Sequence, residues 1–364
     1  MNKRVVKIIN TSLKVSIFLL AAISLITLIF VIISKLDLLP RGSLLSGFEY
    51  IPSLWMFLFS LPITVLLFVI RYQRTALVYV SVFTLFLLFL GDYSLSMLNP
   101  TNTKFNNNDF VELNVMTYNV RYFSSGEDNI NKFLKQSNMD IYLLTESLLT
   151  PEKQNKIKKN MPDYTIISDG GKDVSILSKY PVLSYNIAKL PTYSASLSRG
   201  NDISKLSKND NYRSFIHAVI DVKGIPVNVL SLRLIAGRSK NNSLKEKLIW
   251  GGYLLKAQKK ELEIFLEYIR KLNGRIILGG DLNTNASSSL VRRIRKVLDD
   301  AYFSDHIFGS FTFTTSFPFT RLDYLFHSRD VITKSSEIVK SYLSDHFPVT
   351  AKFLIPKSSA VAQQ

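Results

Sequence analysis

Arg275-Ile276-Ile277-Leu278-Gly279-Gly280-Asp281-Leu282-Asn283-Thr284 is the stretch on which the reading of this chain turns. Its apolar run, Arg275-Ile276-Ile277-Leu278, reads as a buried strand that ends at the two glycines. Such a strand delivers a carboxylate, Asp281, and an amide, Asn283, side by side at its exposed end. Sixty-four positions after Asp281 comes Asp345-His346, within Ser344-Asp345-His346-Phe347-Pro348-Val349. Asp, Asn and His together supply what hydrolysis of a phosphate ester requires. They offer a base, an oxyanion donor, a cation and hard oxygen ligands for Mg²⁺.

Outward from that stretch the chain is uneven. Its 364 residues leave room for about two domains. Hydrophobic content is 47% beside 20% charged residues, and the apolar excess lies in the first hundred positions. Cysteine is absent, which excludes disulfides and thiolate metal sites. The net charge of +17 also divides: residues 1–103 hold 8 basic and 3 acidic side chains, leaving 37 and 25 in 104–364, a net +12. A basic domain of that size suits a polyanion or an anionic membrane surface, although scattered lysines are equally those of a solvated basic face.

Val15–Ile33, Tyr50–Ile70 and Thr75–Gly91 are uncharged stretches of 19, 21 and 17 residues. Each approaches the roughly 20 residues that cross a bilayer core, so three transmembrane helices are expected within a membrane domain, 1–98. Pro52 and Pro62 fall in the second stretch, where a spanning helix tolerates them. Lys3, Arg4, Lys7 and Lys14 precede the first stretch, and Arg71 and Arg74 fill the turn between the second and third. The positive-inside rule then puts the N-terminus in the cytoplasm and everything after about residue 98 outside it. A cleaved signal peptide in place of the first span leads to the same side. The asparagine-rich segment 99–109 reads as a linker, 110–356 as the catalytic domain and 357–364 as a tail.

Within 110–356 the pattern alternates. Strands are expected at Val111–Asn119, Ile141–Thr145, Val174–Ser178, Val182–Ile187, Tyr212–Asp221, Pro226–Leu234, 275–278, Leu322–His327 and His346–Phe353. Helices are expected at Asn129–Gln136, Leu254–Leu272 and Leu290–Leu298, and a long polar loop at Pro191–Asn211. Mixed strands in partly hairpin order indicate an α/β sandwich rather than a purely parallel sheet.

Five segments belong together. They are Met116-Thr117-Tyr118-Asn119-Val120-Arg121, Leu143-Leu144-Thr145-Glu146, Val174 to Val182, Gly279 to Thr284, and Arg321-Leu322-Asp323-Tyr324-Leu325-Phe326 with Ser344 to Val349. In this order they resemble the endonuclease/exonuclease/phosphatase superfamily, in a membrane-anchored bacterial form, over roughly 110–355. The resemblance implies a four-layer α/β sandwich, DNase I-like, with its site at the strand ends between two sheets. It implies Glu146 as principal metal ligand with Asn119 and Asp345 beside it, and Mg²⁺, with Mn²⁺ as the alternative, as cofactor. Asp281 would orient or deprotonate water and Asn283 would hold a phosphoryl oxygen. His346, oriented by Asp323, would stabilise charge developing on phosphorus. Read alone, Asn119 is a turn residue and Asp323 a strand-end carboxylate. Glu146, after an apolar strand, costs too much to bury without a partner.

One departure stands out. Where many members carry histidine, this chain reads Ser231-Leu232-Arg233-Leu234. Arg233 has a donor fork suited to phosphate, so it is expected to bind a substrate phosphoryl oxygen; the alternative is a surface arginine on an altered strand. His217 could replace the missing imidazole, but a two-residue turn at Lys223-Gly224 would put it on the opposite face. The leading function is a membrane-anchored phosphoesterase acting outside the cytoplasm, in a bacterial inner membrane. Its partners would be the lipid bilayer and a phosphate-ester substrate: a lipid headgroup, a soluble ester or nucleic acid. No obligate protein partner is evident. An extracytoplasmic nuclease is one alternative; a weakened member that serves as a binding or sensor protein is another.

Overall fold

The computed structural model describes residues 3–38, 44–90, 93, 109–170, 172–193, 212–236, 243–304, 306–307, 309–313 and 320–357. It divides into two compact units. One is Met1–Asp92 with Asn241–Leu255 and Ser287–Ser289; the other is Tyr93–Lys240 with Lys256–Ala286 and Leu290–Gln364.

The first unit is built on α1 (Lys3–Lys35), α2 (Ser53–Val69) and α3 (Gln73–Leu90). They pack through Ile17, Leu28, Val31, Leu67, Ala76 and Phe83, and Ser24 shares a 2.6 Å hydrogen bond with Tyr79. Leu19, Ile23, Val65, Val78 and Phe89 instead point outward, an arrangement that strands apolar surface in water and suits an apolar solvent. Two of the helices, α1 and α3, are long and apolar enough to cross a membrane. The expected second span is the one that falls short: Pro52 caps its start and Ile70 ends it, leaving 17 helical residues in α2.

In the second unit β1 (Phe110–Asn119) leads through α4 (Glu127–Ser137) to β2 (Ile141–Thr145), then α5 (Pro151–Asn160), β3 (Thr165–Ser168) and β4 (Val174–Ser178). The chain continues through β5 (Val182–Tyr193), β6 (Tyr212–Val222), β7 (Ile225–Ser231), α6 (Leu244–Ile269, of which the part from Lys256 belongs to this unit) and β8 (Ile276–Asp281). It closes with α7 (Ser289–Arg295), β9 (Asp299–Asp300), β10 (Asp323–His327), β11 (Ile332–Ile338) and β12 (Val349–Pro356). Two six-stranded sheets result, in the orders β11-β12-β1-β2-β4-β3 and β5-β6-β7-β8-β10-β9. Among the described residues only β1–β2 and β7–β8 pair in parallel, each across a helical crossover. Inward side chains such as Val115, Leu143, Ile176, Ala218, Val229, Ile277 and Phe353 fill the space between the sheets. Ile130, Leu134 and Ile157 of α4 and α5 cover the outer face of the first sheet. Phe265 and Tyr268 of α6 pack their rings on Phe215 of the second. The layers therefore run helix, sheet, sheet, helix.

Several expected boundaries move. The 275–278 strand does not end at the glycines; β8 continues through them to Asp281. β7 stops at Ser231 rather than Leu234, although Leu232 and Leu234 still donate to the carbonyls of Gly279 and Asp281. β5 runs on to Tyr193, so residues 191–193 of the expected polar loop are strand, and 194–211 lie outside the described residues. α6 starts ten residues before the expected Leu254. β12 starts at Val349, so His346 precedes the strand instead of opening it. Of the linker and tail only Asp109 and Lys357 are described, and Lys357 N donates to Asp109 O at 2.8 Å. Phe110 pairs with Pro356, so the sandwich is entered and left side by side.

Candidate active site

Strand register assembles the site. Parallel pairing sets Asn119 against Thr145, so Glu146 emerges one residue beyond the end of β2. Antiparallel pairing sets Asp323 directly against Asp281. The Asn119 amide donates to Asp281 Oδ2 at 3.0 Å, which ties the ends of the two sheets together. The paired glycines make this approach possible. A Cβ on Gly280 would lie 1.7 Å from Leu232 O, and one on Gly279 2.5 Å from Leu143 Cδ1.

One corner holds Asp281, Asp323 and His346, all buried, with a ligand atom of each within 4.8 Å of the others. His346 Nδ1 lies 2.7 Å from Asp323 Oδ2. A carboxylate only accepts, so Nδ1 carries the proton. Thr312 Oγ1 donates to the same Oδ2 at 2.6 Å and accepts from the amides of Leu322 and Asp323. Among the described residues, Asp323 Oδ1 is buried without a hydrogen-bond partner. Phe313 packs its ring 5.0 Å from the imidazole. Burial opposes a charge on His346, yet Asp323, Asp281 and Asp345 raise its pKa to about 9. Burial, then the charge of Asp323, pushes Asp281 up, against the pull of His346 and Arg233.

The other corner holds Glu146, Asp173 and Arg233. Arg233 is 7% exposed, and its Nη2 pairs with Glu146 Oε1. Its Nη1 lies 3.2 and 3.3 Å from the two oxygens of Asp173, and its Nε 3.6 Å from Asp281 Oδ2. The terminal donors expected to face a phosphoryl oxygen thus face carboxylates of the protein. Burial works against the guanidinium, but Asp173, Glu146 and Asp281 raise its pKa further, so it stays charged. Arg213 supports it from behind: Nη1 sits 3.0 Å from Asp173, Nε 3.1 Å from Glu261, and Nη2 donates to Arg233 O at 2.6 Å.

Asn283 N donates to Asp281 Oδ1, and its side-chain amide to Leu234 O, both at 2.9 Å. Asn119 Oδ1 accepts from Arg121 N at 2.9 Å, and Arg121 Nε lies 3.5 Å from Asp345 Oδ2. His217 is bound to Tyr268 and Asn228 on the helix-covered face; the two-residue turn at Lys223-Gly224 does place it away from Arg233. Arg121, Tyr122, Phe123, Glu146, Leu148 and Asn283 all adopt φ between 37° and 62°. Non-glycine residues pay about 1 kcal/mol or more to sit there, a pattern concentrated where side chains must be aimed rather than packed.

Asp173, Arg213, Glu261 and Thr312 were not among the expected site residues. Glu261, with Gln258, interrupts the buried face of α6 beside Leu262 and Phe265, and polar residues on an apolar stripe are a readable signal. Asp173 had only its position before β4.

The donor chemistry suits a divalent cation. Glu146, Asp173, Asp281 and Asp323 face Arg233 and protonated His346, and Arg213 balances Glu261. Negative charge is left over, on hard oxygens, beside the unpartnered Asp323 Oδ1.

The model of the Endonuclease/Exonuclease/phosphatase family matches residues 116–346, more than half of the chain. The chain belongs to this family. Endonuclease/Exonuclease/phosphatase proteins hydrolyse phosphate esters, typically with a divalent metal, and this chain is a hydrolase of that class. Among solved structures it is similar to an endonuclease/exonuclease/phosphatase from Bacteroides vulgatus, at 17% identity over 67% of this chain and 98% of that one, TM-score 0.50. It is also similar to the mannosyl-6-phosphatase of Bacteroides thetaiotaomicron (20% identity, 66% and 99% covered, TM-score 0.46). Sphingomyelinase C from Streptomyces griseocarneus is a third (17%, 66% and 99%, TM-score 0.46). At these identities the likeness concerns the fold. No relative is found among the curated proteins.

Proposed function

We propose that the chain is a membrane-anchored, Mg²⁺-dependent phosphoesterase whose catalytic domain works outside the cytoplasm. The reading rests on the buried Asp323–His346 pair set against Asp281 at the ends of facing sheets. Glu146, Asn119 and Asp345 would hold the metal, which when bound supplies Lewis-acid polarisation of a phosphoryl oxygen. Asp281, its pKa raised by burial, accepts a proton from the attacking water. The water oxygen bonds to phosphorus, the ester P–O bond breaks with its electron pair going to the leaving oxygen, and the alkoxide departs and takes a proton from solvent. His346, held in its charged form by Asp323, faces the negative charge that accumulates on the phosphoryl oxygens. The second amide hydrogen of Asn283, whose first is taken by Leu234 O, would steady one of them.

Full-length protein in detergent with Mg²⁺ should hydrolyse bis-p-nitrophenyl phosphate, and Glu146→Ala and His346→Ala should each abolish the activity. An intact fold inactive on every ester tried would instead favour the binding or sensor reading, which the carboxylate-bound Arg233 motivates. Steeply salt-dependent cleavage of DNA, without cleavage of lipid or small esters, would favour a nuclease. Orientation has its own test, because the chain lacks cysteine. A membrane-impermeant maleimide should label Lys223→Cys in intact cells and Arg74→Cys only after permeabilisation. The reverse pattern would sink the proposed topology.

A further inference from the structure

We propose that Arg233 is a built-in countercation that shares the Glu146 pocket with the divalent metal and thereby sets how tightly the metal binds. The inference rests on the reading that Glu146 is a metal ligand. Three observations carry it. The guanidinium pairs with Glu146 Oε1, so a cation ligated by this carboxylate would share it with a fixed positive charge. The same guanidinium spans Asp173 and approaches Asp281, so one permanent positive charge is distributed over three carboxylates that a metal would otherwise neutralise. It is also anchored. Leu232 N and Leu234 N on either side bond along β8, and Arg213 holds the Arg233 carbonyl while bracing Asp173.

Two consequences follow. The acidic pocket is partly neutralised without metal, so the catalytic domain folds without it. Metal binding is weak, because a second cation must enter beside a fixed one of like charge. Replacing Arg233 by a neutral side chain should exchange these properties, giving tighter metal binding and stability that depends on it.

The test uses full-length protein in detergent micelles and Mn²⁺ as probe, with free Mn²⁺ followed by electron paramagnetic resonance and melting followed in parallel. Arg233→Gln and Arg233→Met should bind Mn²⁺ at least about tenfold more tightly than wild type and gain thermal stability as Mn²⁺ is added. Arg233→Lys, which keeps the charge without the fork, should stay near wild type. Mn²⁺ affinity of Arg233→Gln and Arg233→Met within about twofold of wild type overturns the proposal. So does failure of both to fold at millimolar Mn²⁺, since the arginine would then be irreplaceable by a metal. Wild type and all Arg233 variants binding no Mn²⁺ would instead overturn the assignment of Glu146 as ligand, as would wild-type affinity in Glu146→Gln.

Discussion

The two corners of the site solve one problem in opposite ways. Each gathers carboxylates at the ends of strands and sets a buried cation among them. Around Asp281 and Asp323 the cation is the His346 imidazolium, which can lose its proton. Around Glu146 and Asp173 it is the Arg233 guanidinium, which cannot. The first corner is therefore equipped to move protons and the second to hold charge. On the proposed reading, an arginine in place of the family's usual histidine still leaves a titrating imidazole across the site.

The largest expected effect comes from removing the proton-handling cation. His346→Ala should lower kcat/KM on the order of 10³-fold in the ester assay with the fold retained; a loss under about tenfold would break the distinction between the corners. Asp323→Asn should cost about 10²-fold and shift the pH profile. The wild-type rate should fall as pH rises through about 9, whereas the variant, without the carboxylate that raises His346, should fall at lower pH. The same group links stability to pH. Its folded pKa lies above the ordinary 6.5, so its stabilisation is complete below that value and lost as pH rises through about 9. Melting curves of wild type and His346→Gln should accordingly converge at alkaline pH. Thr312→Val, which removes one donor from Asp323, should reduce kcat/KM by about tenfold with a smaller alkaline displacement. Smallest of all, His217→Gln should leave kcat/KM within about twofold, because its partners lie on the outer face of the sheet.

Much of the architecture was legible. β2 and β4 match their expected ranges, since short, mostly apolar runs buried along their whole length are a local signal. β3 and β11 escaped because each is an edge strand, paired on one side only and rich in polar residues. α5 is too polar to show periodicity, although its start was written in Thr150-Pro151, a cap followed by proline. The site divided in the same way. Asp281, Asp323 and His346 sit in contiguous motifs, whereas Asp173, Arg213 and Glu261 meet only through tertiary packing across residues far apart in the chain. The donor fork of Arg233 was readable; that carboxylates of the protein would take it was not.

The pairing of Phe110 with Pro356 has a practical side. β1 enters at that end and delivers Asn119 nine residues later, roughly 30 Å away. The two ends of the described sandwich therefore share one margin of the first sheet, a full strand length from the carboxylates, so a cut made at both ends leaves the strand ends that carry the site untouched.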